Sequence, residues 1–168
     1  MATFAYILAS PIGALGLNTS AKGVTQLSYL AGAQTTKPPR HGLAYEVKRQ
    51  LQDYFEAKIS AFELPLDVRG TPYQQQVWQL LQGIKYSEFQ TYGEIAQTLG
   101  SGARAVGNAC RRNPIPIIIP CHRVVRADAV GGYCGSMSGP AQQHKDWLLR
   151  HELGIQQSTP SMHQEQQQ

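Results

Sequence analysis

Residues 91–112, TYGEIAQTLGSGARAVGNACRR, predict two short helices joined by a tight turn. Thr91 can cap the first helix, and Glu94 follows at the spacing of a capping box. Gly100 is typical of a helix end, and a second helix is predicted over residues 103–112. This pattern is the outline of a helix-turn-helix, with a plain helical hairpin as the alternative.

The second of these helices combines arginines with small residues. Its arginines suit contact with phosphate groups: Arg104, Arg111 and Arg112. Its small residues, among them Ala105 and Gly107, let the helix backbone approach another surface closely. Such a helix reads few base edges, so the pattern favours DNA binding that follows shape, with little sequence preference. Simple packing against a neighbouring element would explain the small residues equally well.

Downstream, the apolar residues 115–119 predict a buried extended run that leads to Cys121. A thiol is a strong nucleophile only as the thiolate, and a neighbouring cation or base favours that form. His122 and Arg123 follow directly. In an extended chain Cys121 and His122 point to opposite sides, so His122 needs a turn or a bridging water to reach the thiol. A buried structural cysteine is the alternative.

Two polar residues stand at helix ends. Glu152 closes the last predicted helix, residues 140–152, where its carboxylate faces the negative end of the helix dipole. A compensating partner such as a histidine is therefore expected, unless the charge is simply solvated. Asn113 precedes Pro114, where its side chain can bond backbone on both sides of the break or merely end the helix.

The fold class predicted from these patterns is α+β. In the amino-terminal part we predict, in chain order, a strand at 2–9, a hairpin of 14–18 and 24–30 around Lys22-Gly23, a helix at 42–57 and a strand at 61–66. We place the domains at 1–69 (a small α/β unit), 70–154 (mainly helical, opening with a capped helix at Thr71-Pro72) and 155–168 (a disordered tail rich in Gln and Ser). Residues 127–139 are predicted to form a loop.

The composition of the chain limits the classes of function that it can have. The 168 residues are 42% hydrophobic, enough for a core, and the net charge of +4 permits a nucleic-acid partner without requiring one. The three cysteines and the absence of a signal-like start indicate free thiols in a reducing compartment. No apolar stretch is long enough for a membrane helix, so we expect a soluble intracellular protein.

Residues 104–125, RAVGNACRRNPIPIIIPCHRVV, strongly resemble the signature of the O6-alkylguanine-DNA alkyltransferases, the methylated-DNA–protein-cysteine methyltransferases. Flanking stretches match this family in order and spacing: residues 70–78, 91–96, 131–133 and 145–149. The resemblance covers residues 70–153 closely and 2–69 in outline. It implies a ribonuclease-H-like amino-terminal domain followed by a helical domain with a helix-turn-helix.

The resemblance also implies a reaction. Double-stranded DNA that contains O6-alkylguanine, and also O4-alkylthymine, is the expected partner. A flipped base would give its alkyl group irreversibly and stoichiometrically to Cys121, since a base inside the stack reaches no nucleophile. No cofactor is expected, because the cysteine itself is the acceptor. The protein is expected to act as a monomer, in the cytoplasm with the nucleoid, or in the nucleus of a eukaryote.

By resemblance, each site residue takes a role. Cys121 is the alkyl acceptor, His122 the base acting through a water, Glu152 the residue that orients His122, and Asn113 the residue that holds the active-site turn. Tyr92 presses on the DNA backbone and Arg104 fills the gap left by the base; the other DNA contacts are Ala105, Gly107, Arg111 and Arg112. The base pocket comprises Tyr92, Pro116, Val124, Gly131, Tyr133 and Cys134.

Some features depart from the family pattern. Cys134 stands where the family more often has Ser, and Cys110 adds a thiol on the DNA-facing helix, which leaves oxidation sensitivity and adduct preference open. Residues 1–109 contain no cysteine, so the zinc module of some relatives, and with it any metal, is not expected. Three other classes stay as alternatives: a lesion sensor, which lacks the acceptor cysteine, a Cys-His thiol hydrolase, and a transcriptional regulator.

Overall fold

Three antiparallel strands form a sheet in the amino-terminal part. A computed structural model describes residues 3–129 and 140–154, and its first strands are β1 (Tyr6–Leu8), β2 (Leu15–Thr19) and β3 (Val24–Tyr29), in that order across the sheet. The predicted hairpin is confirmed, while β1 is shorter than the predicted strand. Gly23 is required at the turn between β2 and β3, because a Cβ at this position would lie 2.6 Å from the carbonyl oxygen of Pro65.

Helix α1 (Gly42–Phe55) packs its apolar face on this sheet. The buried residues recur at helical spacing, as an amphipathic helix requires: Ala44, Val47, Leu51 and Tyr54. The helix ends two residues before the predicted end. Ala57 follows with a φ of 60°, a left-handed conformation that terminates the helical path.

The prediction of a strand at residues 61–66 is wrong. The backbone there makes a single parallel bridge, between Leu66 and Val24. Pro65 has no N–H to donate, so a ladder cannot extend through it, although its carbonyl accepts from the N–H of Val24 at 2.9 Å. The apolar side chains of this stretch pack on the core without sheet pairing.

Three helices form the next layer: α2 (Pro72–Gln82), α3 (Tyr92–Leu99) and α4 (Ala103–Arg111). Both predicted capping boxes are present, at Thr71 and at Thr91. Gly100 ends α3 with a φ of 65°, which glycine adopts without strain, and α4 begins three residues later. Helix α2 packs across the pair, and its Trp78 donates an indole N–H to the carbonyl of Ala109 at 2.8 Å.

The prediction that residues 115–119 are extended is also wrong. They form a compact turn, in which the N–H of Ile119 donates to the carbonyl of Ile115 at 2.8 Å. Ile117 has a φ of 74°, an uncommon conformation for a β-branched residue. The isoleucines are buried in the turn just as they would be in a strand, and an apolar run alone does not distinguish the two.

The turn leads into a single 3-10 turn at Cys121–Arg123 and then β5 (Val124–Val125). Strand β5 pairs in parallel with β4 (Gln90–Thr91), which directly precedes α3. This two-stranded sheet ties the segment after Cys121 to the start of α3, so that Tyr92 lies near the cysteine.

Helix α5 (Pro140–Leu153) closes the structure and packs on α1 through aromatic rings. The rings of Phe55 and Trp147 meet at 5.8 Å, and Trp147 stacks on His151 at 5.0 Å. One cluster of buried residues runs through both halves, so the boundary at residue 70 stays a prediction. Residues 130–139 of the predicted loop and the predicted tail, 155–168, lie outside the described residues. Within the described part, no helix has the length and apolar character to cross a membrane.

Replacing Trp78 by Phe should destabilise the α2–α4 contact. The variant keeps an aromatic ring but leaves the buried carbonyl of Ala109 without its donor, so we expect a loss of about 2 kcal/mol or more. Urea unfolding followed by circular dichroism measures it. Tyr45→Phe, at a ring that is 43% exposed, is the control and should change stability by less than about 0.5 kcal/mol. If the two variants were equally stable, the hydrogen bond from Trp78 to the carbonyl of Ala109 would not stabilise the fold.

Candidate active site

A cavity of about 940 Å³ opens where β3, α3, α4, the 115–119 turn and α5 meet. Cys121 is half-buried in its wall. The polar and aromatic side chains that line it come from both halves of the chain: Tyr29, Tyr92, Arg104, Asn113, His122 and Lys145. The fold therefore gathers, around one thiol, side chains that are far apart in sequence.

Beside this cavity lies a buried carboxylate with five donors. Oε2 of Glu152 lies 2.6 Å from Nε2 of His122 and accepts from the hydroxyl of Tyr54 at 2.6 Å. Arg123 donates from Nε to Oε1 and from Nη2 to Oε2, each at 2.9 Å. The N–H of Ser87 donates to Oε1 at 3.1 Å. The histidine partner expected for Glu152 is thus present.

The charge on Glu152 is stable in this setting. Burial opposes ionisation of the carboxyl, but the hydrogen bonds from His122 and Arg123 outweigh it and hold the pKa of Glu152 well below its ordinary value. The helix-end position costs little by comparison, because the guanidinium of Arg123 supplies a full positive charge in a bidentate geometry. Glu152 is therefore a carboxylate at any pH at which the protein is used.

His122 is arranged as a neutral base. Burial lowers the pKa of His122 despite the opposing attraction of Glu152, so the ring is neutral at pH 7. Because Nε2 faces the carboxylate, we assign the ring hydrogen to Nε2, which leaves Nδ1 as the acceptor. Nδ1 is buried and has no hydrogen-bond partner among the described residues. A lone pair next to the cavity is thus available for a proton.

The thiol of Cys121 is protonated at rest. Burial raises its pKa above the ordinary value, while a hydrogen bond from Asn113 and the positive charge of Lys145 act in the opposite direction. The thiol therefore needs a base to become nucleophilic, and those two groups stabilise the thiolate once it forms.

Asn113 fixes the turn that carries the cysteine. Its Nδ2 donates to the carbonyl of Ile119 at 2.7 Å, and its Oδ1 accepts from the N–H of Ile115 at 2.9 Å. Both side-chain bonds reach forward into the turn, rather than to the two sides of the helix break. One side chain thereby closes the loop that ends at Cys121.

Tyr92 faces the cavity from the start of α3. Nζ of Lys145 donates to its hydroxyl at 3.0 Å and lies 5.2 Å from the centre of its ring. The predicted pocket residue Pro116 also lines the cavity, whereas the side chain of Val124 is fully buried and Val125 lines it instead. Among the predicted pocket residues, Gly131, Tyr133 and Cys134 lie outside the described residues.

The arginine-bearing helix borders the same cavity. Arg104, Gly107 and Arg111 of α4 contribute to the lining, and Arg104 is exposed. Ala105 and Arg112 are exposed on α4 and at its C-cap without being part of the lining. A surface with positive charge and small residues thus surrounds the entrance to the thiol.

Cys110 lies on the buried side of α4. Its side chain lines the cavity, and burial raises the pKa of this second thiol to about 12. The group is therefore a thiol and not a thiolate near neutral pH.

Several residues of the site were not found from the sequence. Tyr54 and Ser87 carry no local signal, because they meet Glu152 only in the folded chain. Arg123 was expected to act on the thiol, but its guanidinium binds Glu152. Lys145 lies in one of the flanking stretches that match the family, but the sequence does not predict that it binds Tyr92. The described ranges hold no group of three His, Cys, Asp or Glu side chains placed to bind a metal ion.

Comparisons with known proteins agree on one family. A family model described as 6-O-methylguanine DNA methyltransferase, DNA binding domain, matches residues 72–154. The methylated-DNA–protein-cysteine methyltransferase of Methanosarcina barkeri is 41% identical over 153 residues, covering 87% of this chain and 94% of that protein. The constitutive enzyme of Bacillus subtilis is 50% identical over 94 residues, covering 54% of this chain and 57% of its own length.

A solved structure agrees with these relatives. The crystal structure of Mycobacterium tuberculosis OGT in complex with DNA superposes with a TM-score of 0.74. The two proteins share 39% sequence identity over 88% of this chain and 91% of the other.

Replacing Glu152 by Gln should lower the free energy of unfolding. The buried guanidinium of Arg123 would lose its counter-charge, and breaking a buried pair from one side costs about 3–5 kcal/mol. Urea unfolding at pH 7 measures the loss. Asp128→Asn is the matched control, since it removes a carboxylate from the exposed Arg126–Asp128 pair and should cost at most about 1 kcal/mol. Similar losses in both variants would refute a special role for the buried cluster.

Proposed function

The chain belongs to the methylated-DNA–protein-cysteine methyltransferase family, and on that premise we propose that it repairs DNA by moving the alkyl group of O6-alkylguanine to Sγ of its own Cys121. The observation that carries this proposal is the pairing of a half-buried thiol with a neutral His122 that Glu152 orients. A lesion sensor would not need this arrangement. A thiol hydrolase or a transcriptional regulator would not explain both the thiol and the DNA-facing helix.

The transfer begins with the thiol proton. His122 accepts it at Nδ1 through a bridging water, and Glu152 stabilises the imidazolium that forms. The thiolate attacks the alkyl carbon, the S–C bond forms, and the C–O6 bond breaks with its electrons passing to the base. Because Lys145 donates to the oxygen of Tyr92, the phenolic hydrogen remains free to bind the departing guanine. The thioether is stable, so each molecule reacts once and no cofactor takes part.

The substrate reaches the thiol by base flipping. We assign α3 and α4 as a helix-turn-helix, with Arg104 inserted into the gap left by the base and Tyr92 pressing on the backbone. Arg111 and Arg112 contact phosphates, and the small residues Ala105 and Gly107 allow close approach. Pro116 and the backbone at Val124 border the base. The same pocket would take O4-alkylthymine.

We assign the remaining features by the same family premise. The sheet and α1 correspond to a ribonuclease-H-like domain over residues 1–69, and residues 70–154 form the DNA-binding and transfer domain. The protein acts as a monomer on double-stranded DNA, within the cell.

Incubation with a duplex that contains one O6-methylguanine should add one methyl group to the protein. The intact mass should rise by one methylene unit, the added mass should map to Cys121, and the gain should saturate at one per molecule. Cys121→Ser is the control and should show no gain while still binding the duplex. Unmodified wild-type protein that remains bound to the DNA would favour the lesion-sensor alternative.

The transfer rate should fall in acid. The pKa of His122 is lowered by burial, so the ring stays neutral down to below about pH 6.5 and loses its acceptor only beneath that value. Single-turnover transfer of a labelled methyl group at saturating protein should therefore be flat near pH 7–8 and decline below about pH 6.5. A rate that increases as the pH falls would be incompatible with His122 as the base.

A further inference from the structure

Tyr54 joins the amino-terminal half to the site chemistry. It lies near the end of α1, its side chain is fully buried, and its hydroxyl donates to Oε2 of Glu152 at 2.6 Å across 98 residues of sequence. Neither the mechanism above nor the sequence pattern assigns it a part.

The oxygen that Tyr54 binds is the one that binds His122. Oε2 of Glu152 receives three groups: Nε2 of His122 at 2.6 Å, the Tyr54 hydroxyl at 2.6 Å and Nη2 of Arg123 at 2.9 Å. A carboxylate oxygen offers about two lone-pair sites. The donors therefore share its negative charge, and each weakens the attraction that the others feel.

The hydroxyl is held firmly in place. The Tyr54 ring contacts those of Phe62 and Tyr86 at 5.3 and 6.0 Å, and the Tyr54 carbonyl lies 2.8 Å from Nε2 of His151. Burial, reinforced by the negative charge of Glu152, raises the pKa of Tyr54, so the phenol is a neutral donor at all working pH values. Because the ring is fixed and its hydroxyl stays protonated, Tyr54 can orient the carboxylate of Glu152.

We infer that Tyr54 is a positioning residue for alkyl transfer: its hydroxyl holds Oε2 of Glu152 in line with His122 and limits how strongly that oxygen attracts the imidazolium. The inference rests on the proposed function for its effect on transfer. It makes the amino-terminal half a determinant of the reactivity of Cys121. The link between Tyr54 and the basicity of His122 can be measured without any substrate.

The variant Tyr54→Phe keeps the ring and removes the hydroxyl. Oε2 then attracts the imidazolium more strongly, so the pKa of His122 should increase, by about one unit if one hydrogen bond to the carboxylate is redistributed. The acid decline of the transfer rate should move to higher pH by the same amount. At pH 8 the rate should drop several-fold, because the carboxylate is less well oriented, while affinity for the duplex stays the same.

The experiment compares wild type, Tyr54→Phe and Val47→Ala. Val47 is fully buried on α1, and its aliphatic side chain cannot hydrogen-bond to Glu152, so its variant reproduces a loss of α1 stability without a loss of a hydrogen bond to the carboxylate. Histidine ring resonances followed by NMR against pH give the His122 titration, and single-turnover transfer gives the rate profile. A shift of both in Tyr54→Phe only is the expected result. An unmoved His122 titration, or an equal shift in Val47→Ala, would overturn the inference.

Two further outcomes separate this inference from the proposed function. If the His122 titration shifts but wild-type protein transfers no methyl group, the positioning link stands and the proposed function is wrong. If Tyr54→Phe does not fold, the wild-type hydroxyl proton of Tyr54 serves instead. Its resonance should titrate with His122, and a resonance that ignores His122 would count against the link.

Discussion

The structure depends on one buried negative charge, the carboxylate of Glu152. An unpaired ion in the interior costs several kcal/mol, so the fold must bring compensating donors to it. They come from α1, from the backbone of the segment after α2 and from the 3-10 turn at 121–123, where Arg123 supplies the balancing charge. Elements from both halves of the described chain are therefore tied to one carboxylate, and one of its partners, His122, directly follows Cys121 in sequence.

The buried surroundings of the site set the protonation states of His122 and Cys121. A histidine beside a carboxylate is drawn toward its protonated form, but burial lowers the pKa of His122 and the nearby positive charge of Arg123 adds to this effect. His122 therefore stays neutral, and its free nitrogen remains available. The thiol is kept protonated by burial until a base acts on it. The thiol thus rests in its less nucleophilic form, while the histidine rests in the form that can accept a proton.

The backbone around the cysteine is equally constrained. The strained Ile117 persists because the buried isoleucines and the two Asn113 side-chain bonds determine the turn from both ends. The pairing of β4 with β5 then fixes the start of α3, and with it Tyr92, relative to the thiol. The helix that carries Arg104 follows within a short turn. The positions of α4 and of Cys121 relative to each other are thus fixed by these contacts.

The sequence by itself determined the elements with local causes. Capping boxes at Thr71 and Thr91, the glycine stop at Gly100 and the amphipathic face of α1 all follow from interactions within a few residues, and each was confirmed. The motif around Cys121 likewise identified the family. Apolar stretches were ambiguous, because apolar side chains can be buried equally well in a turn and in a strand. For this reason residues 61–66 and 115–119 were predicted wrongly. Only the tertiary structure decided which donors meet Glu152, since a hydrogen bond between Tyr54 and a carboxylate 98 residues away leaves no periodicity or spacing in the chain.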